Sequence, residues 1–239
     1  MADTGRVRRR SCSVLSLVVA LAVVVAACGE PDSHYLSRKS DGVFVKIPRS
    51  WTVYDEVESY EAALSTRGGL TQRELQRGPY WVRVLSAGGG LGVNDVMQTV
   101  LDFPTGMVEV RPMLPDEAEI VSPFLFRKEL LAGFAEYATA DFATLVQDRQ
   151  LTVIDEREVE ANGYRGLELF VSLQMPGGPN ETLGSFTGPN VFVMGKAYFN
   201  IDTRRLVVLR LFCPLSCSSS DFDAMESVYE SVTLRPANS

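Results

Sequence analysis

Cys213 and Cys217 stand in the pattern C-x₃-C within "CPLSCSSSD". Two thiols so placed can form a structural disulfide, exchange disulfides, or supply half of a metal site. Exchange motifs use C-x-x-C, which this is not. A closed zinc site needs four ligands, and no further cysteine or histidine lies nearby. Outside the cytoplasm two neighbouring cysteines oxidise, and closing so small a loop stabilises a fold by about 2 kcal/mol in the chain-entropy model. The expectation is therefore a structural Cys213–Cys217 disulfide. His34 is the single histidine, which disfavours a histidine-dependent triad or a histidine-rich metal centre. The Gly-rich stretches "AGGGLG" and "MPGGPN" match no phosphate-binding loop. "GSFTG" has Phe186 where a nucleophile elbow needs serine. The acidic runs "DEREVE" and "PDEAE" lack the alternating pattern of a calcium loop and read as solvated strand and loop faces. Trp51 and Trp81 read as packing residues. The expected catalytic, metal and cofactor sets are empty.

A further cysteine, Cys28, closes a different pattern. Arg6, Arg8, Arg9 and Arg10 precede an uninterrupted apolar run from Leu17 to Ala27. That run is shorter than the roughly 20 apolar residues of a membrane-spanning helix and has the proportions of a secretory h-region. Val25-Ala26-Ala27-Cys28 resembles the lipobox of bacterial lipoproteins. The resemblance implies cleavage before Cys28 and transfer of diacylglycerol to its thiol, because two acyl chains hold a protein on a membrane where one does not. Ordinary secretion is the alternative, since Val25 and Ala27 also satisfy a small-x-small cleavage site. Cys12 lies inside the leader. The expected organisation is a signal peptide over 1–27, a flexible polar tether over 28–40 that carries His34, and a folded domain over 41–235. A tether of this length reaches about 40 Å when extended.

The elements that would position any site follow from periodicity. The formal charge is −7, and removing the basic leader leaves the remainder more acidic still. An acidic domain repels nucleic acid and anionic head groups. "GVFVKIP" alternates as a strand, and the sequence through Pro48, Arg49 and Ser50 to Trp51 and Val53 suggests a hairpin. "YEAALST" and "TQRELQR" have helical composition, interrupted by Gly68 and Gly69, and "PYWVRVLSA" reads as a strand. From Gly88 to Pro123 the chain reads as a long irregular excursion with one helix in "GVNDVMQTVLDF". "RKELLAGFAEYA" and "ATLVQD" read as helix. Two strands flank Asn162-Gly163, a pair favoured in two-residue hairpin turns because both positions take positive φ. "VFVMGKAYFNID" and "RLVVLRLFC" form another strand pair. In the final helix, Ser220 and Asp223 have capping-box spacing, and Phe222, Met225, Val228, Tyr229 and Val232 share one face. The fold class is α+β, with helices on an antiparallel sheet.

"GVFVKIPRSWTVYD", the hairpin around "NGYRGLELFVSLQ", the strands "KAYFNID" and "LVVLRLFC", and the closing "FDAMESVYESVTL" are together similar to the PsbP/Mog1-like proteins. That resemblance implies an α/β/α sandwich with a central antiparallel sheet, and it leaves activity open because fold does not carry function. The resulting expectation is a non-catalytic, extracytoplasmic lipoprotein held on the cell membrane through Cys28. Its partner would be an envelope protein, bound directly or during complex assembly, and not nucleic acid. The alternative is a carrier or sensor of a small or lipidic ligand. A hydrolase would require a carboxylate pair in a cleft.

Overall fold

The computed structural model describes residues 33–66, 72–77, 80–98, 102–132, 142–148, 150–175 and 190–236. The leader, Cys28 and the Gly-rich segment that contains "GSFTG" lie outside the described residues. Strand β1 (Ser33–Arg38) leads through a 3-10 turn into β2 (Val43–Pro48), then β3 (Thr52–Val53), α1 (Glu56–Thr66), α2 (Gln72–Arg77) and β4 (Trp81–Ser86). There follow α3 (Val93–Gln98), β5 (Thr105–Pro112), α4 (Pro115–Glu119), α5 (Pro123–Leu130) and α6 (Phe142–Gln147). The chain ends through β6 (Leu151–Ala161), β7 (Tyr164–Gln174), β8 (Asn190–Asn200), β9 (Arg205–Pro214), α7 (Ser219–Glu230) and β10 (Thr233–Leu234).

A seven-stranded antiparallel sheet in the order β3-β4-β5-β9-β8-β7-β6 forms the centre. One of its faces carries Leu167, Leu169, Val171, Val193, Phe199 and Val208, covered by Phe126 and Leu130 of α5 and Leu145 of α6. Gly195 permits that approach, since a Cβ there would stand 2.6 Å from Leu130 Cδ2. On the same face, α1 and α3 cover β4, with Tyr54, Val84 and Val96 forming a small cluster. The other face carries Trp81, Met194, Tyr198, Val207, Leu209 and Leu211 beneath Met225 and Val228 of α7. A second, three-stranded sheet in the order β1-β2-β10 shares that layer and contributes Leu36, Val43, Val45 and Ile47 to the same cluster. The architecture is therefore α+β with helices on both faces of a large antiparallel sheet, and one covering layer is part sheet.

The Asn162-Gly163 turn forms as expected, with φ of 55° and 79°. Four readings change. Residues 33–38, expected within a flexible tether, are a strand paired in register with β2. Leu36 is buried there, and half-buried His34 sits on the inward face rather than in a solvated linker. The hairpin expected around Pro48-Arg49-Ser50 does not form: β2 pairs with β1 and β10, whereas β3 pairs with β4. The excursion expected from Gly88 to Pro123 contains β5, a central strand. It is buried from Thr105 to Arg111, so it shows none of the polar alternation of a half-buried strand. The final helix is capped two residues earlier than expected, by Ser218 with Asp221. The Ser218 hydroxyl accepts from Asp221 N at 3.2 Å, and Ser218 N donates to Asp221 Oδ2 at 3.1 Å.

Candidate functional site: two buried ionic groups and an exposed apolar pair

Charged residues placed singly in apolar strands must meet opposite charges, because an isolated buried charge is costly. Glu109 and Arg111 on β5 and Arg210 on β9 obey this rule. Arg210 Nη2 donates to Glu109 Oε2 at 2.7 Å, and both side chains are almost fully buried. Arg111 Nη1 stands 3.7 Å from Glu109 Oε1, and its Nη2 lies 2.5 Å from Glu129 Oε1 on α5. Glu117, at the start of α4, accepts from Arg77 Nε of α2 at 2.9 Å and from Leu114 N at 3.0 Å. These groups form an ionic seam where the sheet meets α2, α4 and α5. Burial alone would lower the pKa of Arg111, but Glu129 and Glu109 outweigh it and the value is raised. Its Nε finds no hydrogen-bond acceptor among the described residues. The arginines are permanently charged and the carboxylates face them. Such a seam fixes positions.

A second group lies on the opposite face, beneath α7. Glu168 on β7 accepts from the Tyr198 hydroxyl, from Arg157 Nε at 3.1 Å, and faces Lys196 Nζ at 3.3 Å. Lys196 Nζ stands 4.1 Å from the ring centre of Tyr229 on α7, a cation–π contact. Burial would raise the Glu168 pKa, but bonds from Tyr198, Arg157 and Lys196 carry it below the ordinary carboxylate value. Burial, and then the bond to Glu168, raise Tyr198. Burial, and then the Glu168 charge, raise Tyr229. Glu168 is therefore held ionised and both phenols protonated. This arrangement fastens α7 to the sheet.

The expected site residues separate in space and in kind. Cys28 lies outside the described residues. Cys213 and Cys217 are joined as a disulfide with their Cα atoms 6.1 Å apart, linking the end of β9 to the loop before α7. Phe170, Phe192 and Phe222 stack beside one another, with ring centres 5.7 to 5.8 Å apart, and Phe192 is the register partner of Cys213. The disulfide thus helps to seat α7. The Cys217→Ser variant is expected to lose about 2 kcal/mol, measured by urea denaturation of the oxidised protein. An unchanged midpoint would show that aromatic packing alone seats the helix.

Trp51 and Trp81 are core residues, as expected. The acidic runs are not wholly solvated, contrary to expectation. Glu117 of "PDEAE" is buried, and Glu156 of "DEREVE" accepts from Arg127 Nε at 3.1 Å. Sequence reasoning missed both ionic groups. The available signal was the single charges inside "MVEVRP", "LVVLRLFC" and "MGKAYF", which only a buried partner of opposite sign permits.

Apolar side chains are also left exposed around α5. Ile120 is 68% exposed and Phe124 62% exposed. One turn further along, Arg127 places its guanidinium 4.7 Å from the Phe142 ring centre on α6 and bonds Glu156 on β6. Arg127 therefore ties α5 to α6 and to the sheet, which holds Phe124 on a supported helix. Among the described residues no three His, Cys, Asp or Glu side chains are grouped to hold a metal ion, and no helix is long and apolar enough to cross a membrane.

No family model matches the chain, and no curated protein sequence does. Among solved structures it is similar to cyanobacterial PsbP from Synechocystis sp. PCC 6803, with 12% identity over 87% of this chain and 95% of that one and a TM-score of 0.43. It is similar to LpqN of Mycobacterium tuberculosis, described as involved in cell envelope biogenesis, with 12% identity over 90% and 97% and a TM-score of 0.40. The Ran-binding protein Mog1p of Saccharomyces cerevisiae gives 8% identity over 85% and 96%, with a TM-score of 0.37. Likeness at this level carries no inference about activity or partners.

Proposed function

We propose that this chain is a bacterial envelope lipoprotein, anchored through Cys28, whose domain acts without catalysis by binding a protein partner or assisting assembly of a complex. The observation that carries the binding role is Phe124, apolar and exposed on a helix held in place by the Arg127 contacts, with exposed Ile120 in the connection that leads to that helix. Large exposed apolar side chains on a braced element suit a protein contact. The lipobox-like Val25-Ala26-Ala27-Cys28 supports the anchor. The ionic groups support a structural reading of the buried charges, since every carboxylate described in them faces a cation.

Two measurements test the two halves. In a bacterial host fed a labelled fatty acid, Cys28→Ala is expected to lose all acyl label and to leave the membrane fraction; undiminished labelling of the variant refutes the anchor. A photo-crosslinking residue at Phe124 is expected to capture a discrete protein band in intact cells, and the same residue at exposed Glu61 is expected not to. Equal capture at both positions refutes the binding surface.

A further inference from the structure

The small sheet has one face turned inward and one uncovered. His34, Leu36 and Arg38 on β1 pair with Ile47, Val45 and Val43 on β2 and form the inward face. Tyr35 pairs with Lys46, and Ser37 with Phe44, which pairs onward with Thr233 of β10. These residues form the outward face. Tyr35 there is 72% exposed. The Arg235 guanidinium stands 4.9 Å from the Phe44 ring centre. Lys39, in the turn joining β1 to β2, is exposed, as are Lys46 and Arg235. The sole carboxylate in these strands and their connecting turn is Asp41, which is buried. It is bonded by Arg38 Nε at 3.1 Å and lies 3.5 Å from Arg205 Nε. The exposed charges within these strands and their turn, Lys39 and Lys46, are therefore positive, with Arg235 directly after β10 and Glu230 of α7 before it, on a protein whose formal charge is −7.

The same sheet begins next to the proposed anchor. The chain from Cys28 to Ser33 spans at most about 18 Å when fully extended, far less than the tether expected from sequence alone. A domain held so closely has little freedom to turn. Its acidic bulk is repelled by anionic lipid, whereas a basic face with an interfacial aromatic is attracted to lipid phosphates within about a Debye length. Tyrosine rings favour the head-group level of a bilayer.

From this we infer that the outward face of the small sheet lies against the bilayer that holds Cys28. Lys39, Lys46 and Arg235 meet lipid phosphates, and Tyr35 and Phe44 enter the head-group boundary. The inference rests on the anchor reading. It places the small sheet at the membrane and the α5 layer, with Ile120 and Phe124, on the far side of the central sheet. The net acidity that disfavours membrane contact for the protein as a whole does not describe this face.

The test uses the full chain, produced in a bacterial host, purified in detergent and reconstituted into vesicles of phosphatidylethanolamine and phosphatidylglycerol. Tyr35→Trp and Ile120→Trp are compared for fluorescence quenching by brominated lipid, above the background of the buried Trp51 and Trp81. Acyl label is measured on the same preparations. Tyr35→Trp is expected to be quenched several-fold more than Ile120→Trp. Adding Lys39→Glu, Lys46→Glu and Arg235→Glu to Tyr35→Trp is expected to bring its quenching down to the Ile120→Trp level. Equal quenching at positions 35 and 120 on an acylated chain overturns the membrane face and leaves the anchor standing. A chain without acyl label overturns the anchor and this face with it.

Discussion

Glu109→Gln is expected to destabilise the domain by about 3–5 kcal/mol, the cost of removing one member of a buried ion pair. Glu109 is 1% exposed and Arg210 2%, so neither can turn to solvent when the other is lost. The amide retains the shape of the carboxylate but not its charge. Arg210 then loses the carboxylate at 2.7 Å, and Arg111 loses one of its two carboxylate partners among the described residues, keeping Glu129. The paired replacement Glu109→Leu with Arg210→Met behaves differently. Removing both charges also removes both desolvation costs, so the double variant is expected within about 1 kcal/mol of wild type or above it. The two single changes and the double change form a cycle whose terms do not add. Urea unfolding of the four proteins measures it. Against a typical total stability of about 5–15 kcal/mol, the single variant should shift its midpoint visibly. A Glu109→Gln cost below about 1 kcal/mol would mean that solvent or backbone groups compensate Arg210, and that the seam does not fix the sheet.

The seam also shows why part of this structure was legible and part was not. Strands with one wet face announced themselves. β2 alternates Val43, Val45 and Ile47 against Phe44 and Lys46 and formed where the pattern placed it; α7 presents Met225 and Val228 on one stripe as expected, with its start two residues earlier. β5 did not announce itself, because burial on both faces erases alternation, and Pro104 and Pro112 at its ends look like loop. β1 was hidden for the opposite reason. "SHYLSR" has one aliphatic residue, Leu36, and its strand is specified by pairing with β2, which a local reading of sequence cannot see. The Cys213–Cys217 disulfide was readable from spacing together with the compartment expected from the leader. The two ionic groups required knowledge of which strands are neighbours. Glu109 and Arg210 lie 101 residues apart in sequence, and the β5–β9 pairing brings them together.

Glu168→Gln should cost on the order of 3 kcal/mol at neutral pH, the upper range for hydrogen bonds to a charged group, and the cost should vanish in acid. Three donors converge on this carboxylate: the Tyr198 hydroxyl, Arg157 and Lys196. Glutamine can still accept from Tyr198 through its carbonyl oxygen. Lys196 meets the same oxygen as Tyr198, so that carbonyl serves both, and the NH₂ group faces Arg157, which only donates. Arg157 is largely exposed and can turn to water, so most of the loss is the negative charge opposite Lys196, which is buried. The direction with pH follows from the lowered pKa of Glu168. A carboxyl whose folded value lies below its unfolded value, about 4.3, stabilises the fold fully above that unfolded value. The contribution disappears as pH falls through the folded value, because both states are then protonated. The stability gap between wild type and Glu168→Gln should therefore be constant from neutral pH down to about pH 5 and close progressively below it. Urea unfolding of the pair at intervals from pH 7 to strong acid reads this directly. A gap that stayed constant into acid would show that Glu168 contributes by shape and not by charge. A gap that widened in acid would mean that the folded state favours the protonated acid, reversing the role assigned to Lys196 and Tyr198 in seating α7.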